Sequence, residues 1–400
     1  MKRLFSVVLL FVLLTALLPA QAHAAGDTVT INVYNWGQYL SDGTDDYINV
    51  IEEFEAAYPN IKVNYMTYDS NESMYTKLKT GGSLFDIIIP SDYMVEKLIA
   101  EDMLEPLDLS NIPNFACIDE SFRDPSYDPG SVYSVPYTWG GVGVIYNTKY
   151  VDEADTGGWE LLWNEKYAGK ILMFDNPRDA FAIAQLELGY DINTEDSTLL
   201  TLSANLLRDQ KPLVQMYVMD QVFDKMQRGE AWIAPYYAGD FLLMVEENPD
   251  LAFYYPEEGF NLFIDAICIP KGSEHKAEAE TFINFLLSPE ICGQNLEYLG
   301  YSSPSSAAKE FMDPEVASDP IAYPDKEILA RGLSFSSLSL EGTQEMNSLW
   351  LTVKTADTST TVYLILTIAA VVLVVFLWSF VKFRKRRKKA RRCQKWKQTQ

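Results

Sequence analysis

The stretch Phe85-Asp86-Ile87-Ile88-Ile89-Pro90-Ser91-Asp92-Tyr93 decides the fold. A short continuous apolar run stopped by proline predicts a buried strand, because proline has no N–H to give to a sheet. Upstream, Val29, Ile31 and Val33 alternate with Thr28, Thr30 and Asn32, the period-2 pattern of a strand with one face on a core. Tyr47, Ile48, Ile51, Phe54 and Tyr58 recur at helical spacing as far as Pro59-Asn60, and Ile61, Val63 and Tyr65 predict the next strand. A helix is expected over 72–79, ending at Thr80-Gly81-Gly82. Strands alternating with helices predict an α/β chain in which helices wrap a parallel sheet.

Further on, residues 106–137 are loop-rich, with Pro106, Pro113, Pro125, Pro129 and Pro136. A strand over 137–147 carries Gly140, Gly141 and Gly143, which predicts close approach to other backbone. Another apolar strand over 262–269 precedes Pro270-Lys271-Gly272, and an amphipathic helix follows over 277–287. The layout predicts two lobes joined by crossings near 136 and 262. Lobe 1 is expected to comprise 27–136 and 263–310, and lobe 2 to comprise 137–262 and 311–354. A cleft between such lobes is the usual ligand site.

The two ends read differently from this body. Lys2-Arg3, an apolar run over 4–18 and Ala22-His23-Ala24 predict a signal peptide over 1–24. The uncharged, mostly apolar run Val362 to Val381 is 20 residues long. A helix of that length spans about 30 Å, the thickness of a bilayer core. Lys382-Phe383-Arg384-Lys385-Arg386-Arg387-Lys388-Lys389 follows directly. Basic residues concentrate on the cytoplasmic side of spanning helices. The expectation is therefore a linker over 355–361, one transmembrane helix over 362–381 and a cytoplasmic tail over 382–400, with the lobes outside the cell.

Composition narrows the chemistry. The segment 26–357 carries 19 Lys and Arg against all 56 Asp and Glu. Its field repels nucleic acid and favours cations, although most of these acids serve a solvated surface. Three cysteines, Cys117, Cys268 and Cys292, precede the apolar run and Cys393 follows it, without metal-type spacing. The first three are expected to be buried free thiols. Beyond the signal peptide His275 is the single histidine, and it sits in a polar turn expected to be exposed. Ser-His and Cys-His catalysis and His-ligated metal centres need imidazole in a cleft. No phosphate-binding loop, dinucleotide fingerprint or HExxH is present.

Aromatic and acidic residues cluster just past predicted strand ends, where open α/β sheets bind ligands. The groups are Asn35-Trp36-Gly37-Gln38-Tyr39, Pro90-Ser91-Asp92-Tyr93, Tyr236-Tyr237-Ala238-Gly239-Asp240 and Phe263-Ile264-Asp265. Aromatic faces grip alkyl chains and attract ammonium groups, while carboxylates accept their N–H donors. Taken singly, each aromatic reads equally well as core and each Asp as a cap or surface charge.

At these residues the chain resembles the spermidine/putrescine-binding proteins of ABC-type polyamine importers. The likeness runs from about Thr28 to about Pro324. It is carried by Tyr34-Asn35-Trp36-Gly37-Gln38-Tyr39, by Ser70 to Thr80, by Pro90-Ser91-Asp92-Tyr93, by Tyr133 to Gly140, by Ile283 to Pro289 and by Gly300-Tyr301. The resemblance implies a two-lobed periplasmic-binding-protein-like fold of type II with an interlobe cleft. It implies a solute-binding protein, not an enzyme, without cofactor or metal, which hands a polyamine to ABC permease subunits; the chain is expected to act as a monomer. The family's stacking tryptophan falls on Trp36 and its nearby tyrosine on Tyr39. Its serine and tyrosine after the third strand fall on Ser91 and Tyr93, and an acid of its second lobe on Asp179. A clamping aromatic falls on Tyr237, an acid of the putrescine-preferring branch on Asp240, the aromatic-x-Asp strand on Phe263 and Asp265, and a late tyrosine on Tyr301.

The chain also departs from that pattern. Gly37 stands where members have a hydroxyl residue, Asn176 replaces an acid of the spermidine branch, and Tyr237 and Phe263 replace tryptophans. These swaps keep aromatic surface but weaken cation–π attraction. They leave the amine class intact and the preferred chain length open. Other ligands share the architecture: Tyr236-Tyr237 resembles the paired tyrosines of ferric-ion binders, and a carboxylate-pair glycosidase or a membrane-tethered sensor are the remaining alternatives.

Overall fold

The computed structural model describes residues 28–81 and 85–355. The expected signal peptide (1–24), transmembrane helix (362–381) and basic tail (382–400) lie outside the described residues. Among those described, no helix is long and apolar enough to cross a membrane.

The first strand, β1 (Val29–Trp36), alternates as its sequence requires. Ile31 and Val33 face a core with Phe54, Ile61 and Phe282. Tyr34 points the other way and stacks on Phe85 at 4.4 Å. β2 (Ile61–Tyr68) and β3 (Ile87–Ile88) flank β1 in parallel. The helix Val50–Ala57 connects β1 to β2, capped by Asn49, whose side chain accepts from the Glu52 N–H. Phe54 on that helix is fully buried. Truncating such a ring to alanine costs about 3–5 kcal/mol. The expected strand over 85–89 shrinks to two residues, Ile87 and Ile88, although the Pro90 carbonyl still accepts from the Ala266 N–H and Ser91 still bridges to Asp265.

The second half repeats the theme with β5 (Ile171–Phe174), β6 (Val214–Val218) and β7 (Ile233–Tyr237), all parallel. Two long strands weld the halves together. β4 (Ser134–Asn147) pairs through residues 134–141 with β9 (Phe260–Cys268) and through 142–147 with β7 and with β8 (Leu251–Tyr254). Both strands run antiparallel to their partners in these ladders. β9 also pairs antiparallel with β3 and parallel with the short β10 (Gly332–Leu333). The strand order is β2-β1-β3-β9-β4-β7-β5-β6. The sheet is thus mixed: β1, β2 and β3 are parallel, as their alternation with helices predicts, and β4 and β9 add antiparallel ladders. The result is a two-lobed α/β architecture with a cleft between the lobes.

Three details differ from, or refine, the sequence reading. The glycines of β4 face aromatic rings more than backbone: a Cβ on Gly140 would sit 2.9 Å from the Phe263 ring. His275 is half-buried at the start of the helix Lys276–Leu286 instead of exposed, since that helix packs Phe282 and Leu286 into the core. Cys268 and Cys292 are buried, Cys117 is half-buried, and all three are free thiols. After β10 the chain crosses back. A final helix over 340–355 buries Met346, Trp350 and Val353 on the second lobe. Lys211 caps its last carbonyls at Val353 and Lys354, and Lys354 pairs with Asp175 beside the cleft.

Candidate functional site

All ten residues singled out from the sequence line one cleft between the lobes, with about 730 Å³ of free space including its mouth. The strands deliver them. Trp36 ends β1, Tyr237 ends β7, and Phe263 and Asp265 project from β9. Ser91 follows β3 and bridges to Asp265. Asp179 and Asp240 sit in the first turns of the helices Pro177–Glu187 and Ala238–Glu247, where the helix dipole favours negative charge. Tyr301 follows the helix Pro289–Leu299, turned into the cleft by Gly300 at φ 70. Its ring lies against Gly239, where a Cβ would approach it to 2.6 Å.

One wall is held rigid by hydrogen bonds. Trp36 Nε1 donates to the Ile89 carbonyl at 2.8 Å, and the Tyr68 hydroxyl donates to the same oxygen at 2.6 Å. The two rings lie 4.7 Å apart. Asn71 Nδ2 donates to Ser91 Oγ and to the Tyr93 hydroxyl, and Tyr93 in turn donates to Glu72. Across the floor, Tyr39, Tyr301, Phe263 and Tyr237 form a chain of edge-to-face contacts at 5.1, 6.3 and 5.5 Å. Such pairs favour this geometry over face-to-face stacking.

The carboxylates are unusual. Asp265 is 4% exposed and accepts from the Tyr39 hydroxyl at 2.6 Å. Burial pushes its pKa up to about 6, while Tyr39 and Ser91 pull it back. Its second oxygen, Oδ1, is buried without a hydrogen-bond partner. Asp179 accepts from Asn176 at 2.6 Å and from Tyr237 at 3.1 Å, and burial raises it to about 7. Burial also raises Asp240 to about 7, against a hydrogen bond from Tyr301. No ion pair among the described residues involves these three acids. The cation closest in sequence, Arg178, turns instead to Asn193 and the Ser336 carbonyl and lies 4.3 Å over Phe335. The cleft therefore gathers buried carboxyls positioned by neutral donors and without an ion pair of their own, while the nearby Arg178 charge pulls the Asp179 pKa back down.

Sequence reasoning missed Tyr68, Asp69, Met219, Asp220, Asn261 and Phe335, which also line the cleft. Asp69 follows β2 and Asp220 follows β6, so the strand-end rule that found Trp36 applies to both. Phe335 carries no local signal. It arrives on the segment 334–339, pinned by Asn193, Glu195 and Arg178 and by Glu96, which accepts from the Ser337 N–H at 2.6 Å. Tyr236 and Tyr237 adjoin at 5.0 Å, and burial, then nearby acids, raise both phenols.

Comparison with known proteins agrees with this geometry. The profile of the bacterial extracellular solute-binding protein family matches residues 49–324. The spermidine/putrescine-binding periplasmic protein of Escherichia coli (strain K12) is 34% identical over 312 residues, 78% of this chain and 87% of that one. The putrescine-binding periplasmic protein SpuD of Pseudomonas aeruginosa (strain UCBPP-PA14) is 28% identical over 372 residues, covering 88% and 99%. Among solved structures, the spermidine/putrescine ABC transporter substrate-binding protein PotD of Streptococcus pneumoniae superposes with a TM-score of 0.69 at 36% identity, covering 82% of this chain and 99% of that one. The fold and cleft are those of an extracellular solute-binding protein, a transport component and not an enzyme. The chain belongs to that family, in the spermidine/putrescine-binding branch of ABC importers.

Proposed function

We propose that the cleft closes on a linear polyamine such as putrescine or spermidine. The observation that carries this reading is the buried, unpartnered Oδ1 of Asp265, a residue that lines a cleft walled by aromatic rings. A buried acceptor left unpaired costs about 1–3 kcal/mol, and an ammonium N–H relieves that cost with a charge-assisted bond. Asp265 and Asp240 hold ammonium groups at one part of the cleft and Asp179 at another, while Trp36, Tyr93, Tyr237 and Phe263 wall the methylenes between them. Tyr39, Ser91 and Tyr301 orient the acids and complete the wall.

The protein acts as a monomer whose lobes, 27–136 with 263–310 and 137–262 with 311–354, close by a hinge in the paired strands β4 and β9. The closed form is delivered to an ABC permease. Residues 362–381 anchor the chain in the membrane, with the basic tail inside and the cleft outside; the uncharged run and the basic block after it support this topology. Calorimetric titration with putrescine, spermidine, spermine and an amino acid tests the ligand class. Saturable binding of the amines, with none of the amino acid, is expected. Heat from the amino acid alone removes the polyamine reading.

A further inference from the structure

The outer end of the cleft holds two further carboxylates, Asp69 and Asp220. Asp69 comes from the turn after β2 and Asp220 from the turn after β6, so the two halves of the sheet each supply one. Both line the cleft and both are exposed, which places them at its mouth. Neither belongs to an ion pair among the described residues. Asp220 reaches across to the opposite wall: a Cβ on Gly37, next to Trp36, would lie 3.2 Å from Asp220 Oδ2. The missing side chain at 37 is thus what lets the carboxylate sit there. The two acids feel each other as well, for the Asp220 pKa is raised by burial and then by the Asp69 charge. At the inner end of the same cleft, Asp265 Oδ1 is buried without a hydrogen-bond partner, an acceptor that a cation would satisfy.

We propose that Asp69 and Asp220 form a mouth subsite for the terminal ammonium of an amine with three or more charges, and so favour a triamine over a diamine. This inference rests on the polyamine reading of the cleft. The chain carries Asn176, a neutral group, as the cap of the helix whose first turn holds Asp179, and the mouth pair supplies negative charge at a different point along the cleft. A diamine that spans the inner acids leaves the two mouth charges facing each other unneutralised. A third ammonium between them removes that repulsion as the lobes meet.

The test is calorimetric titration of the full-length protein and of its Asp69→Asn, Asp220→Asn and doubly substituted forms with putrescine and spermidine, at low and at about 1 M salt. Each single substitution is expected to lower the spermidine-to-putrescine affinity ratio about three- to fivefold, the range of a partly exposed charge pair, and the double substitution to lower it further. High salt should shrink the effect. An unchanged ratio overturns the mouth subsite while leaving the polyamine reading intact. Failure of the unsubstituted protein to bind either amine overturns both.

Discussion

Two groups of carboxylates on this molecule make an instructive pair. Glu160, Glu187 and Glu258 bring their oxygens within 4.8 Å of one another on the surface of the second lobe. Burial, then the charges of Glu258 and Glu160, raise the pKa of Glu187 to about 7. Little shapes this patch beyond the Trp159 N–H, which donates to Glu258 at 3.2 Å. The cleft acids stand apart on three different elements, each held by tyrosine, serine or asparagine donors and separated by aromatic surface. Density of charge is greater in the patch, yet the cleft has the layout of a flexible multivalent cation. What distinguishes a site here is the spacing of its acids and the apolar wall between them.

The comparison breaks most readily at Asp265. Asp265→Asn keeps the shape and removes the charge. Amine affinity should fall about 100-fold, or about 2.7 kcal/mol, inside the 2–5 kcal/mol range for one partner of a buried charged pair. Calorimetry showing less than a tenfold loss would remove Asp265 from the site.

Next comes pH. Asp265, Asp179 and Asp240 titrate at about 6, about 7 and about 7 in the fold, above the unfolded value of about 3.9. The folded, ligand-free protein thus holds protons that the unfolded chain has released. Its stability should fall as pH climbs from about 4 to about 7. Amine binding needs the charged carboxylates, so affinity should run the other way, rising at least about tenfold from pH 5 to 7.5 with release of protons. Binding heats that do not change with the buffer's ionisation enthalpy would contradict this coupling.

A smaller effect sharpens the role of the wall. Trp36→Leu keeps an apolar contact but loses the ring's attraction for ammonium, worth about 1 kcal/mol, so affinity should drop about fivefold. An undiminished affinity would make Trp36 a packing residue only. The smallest effect belongs to the surface patch: Glu187→Gln should leave amine affinity within about twofold and slightly raise the melting temperature at pH 7 by relieving like-charge repulsion. A larger change in affinity would show that the two acid groups communicate.

Much of this was legible in the sequence because strand ends announce themselves. Ile87-Ile88-Ile89 before Pro90, and Val29 to Val33 before Asn35-Trp36, place their loops on one edge of the sheet by local pattern alone. The mixed pairing was not legible. β4 is buried along nearly its whole length, so its side chains show no alternation that would reveal antiparallel partners on both sides. Asp220 was overlooked because β6 is a half-exposed edge strand, Val-Gln-Met-Tyr-Val, whose polar residue hides the strand it follows. Phe335 depends on contacts with Tyr93, Arg178 and Glu96's helix far away in the chain, which no local periodicity encodes.

A crystal structure of the protein grown with spermidine would test the central claim most directly. An amine nitrogen within about 3 Å of Asp265 Oδ1, with methylenes between Trp36 and Tyr237, is expected. A bound amine lying outside the cleft, or an Asp265 Oδ1 still without a partner, would contradict it.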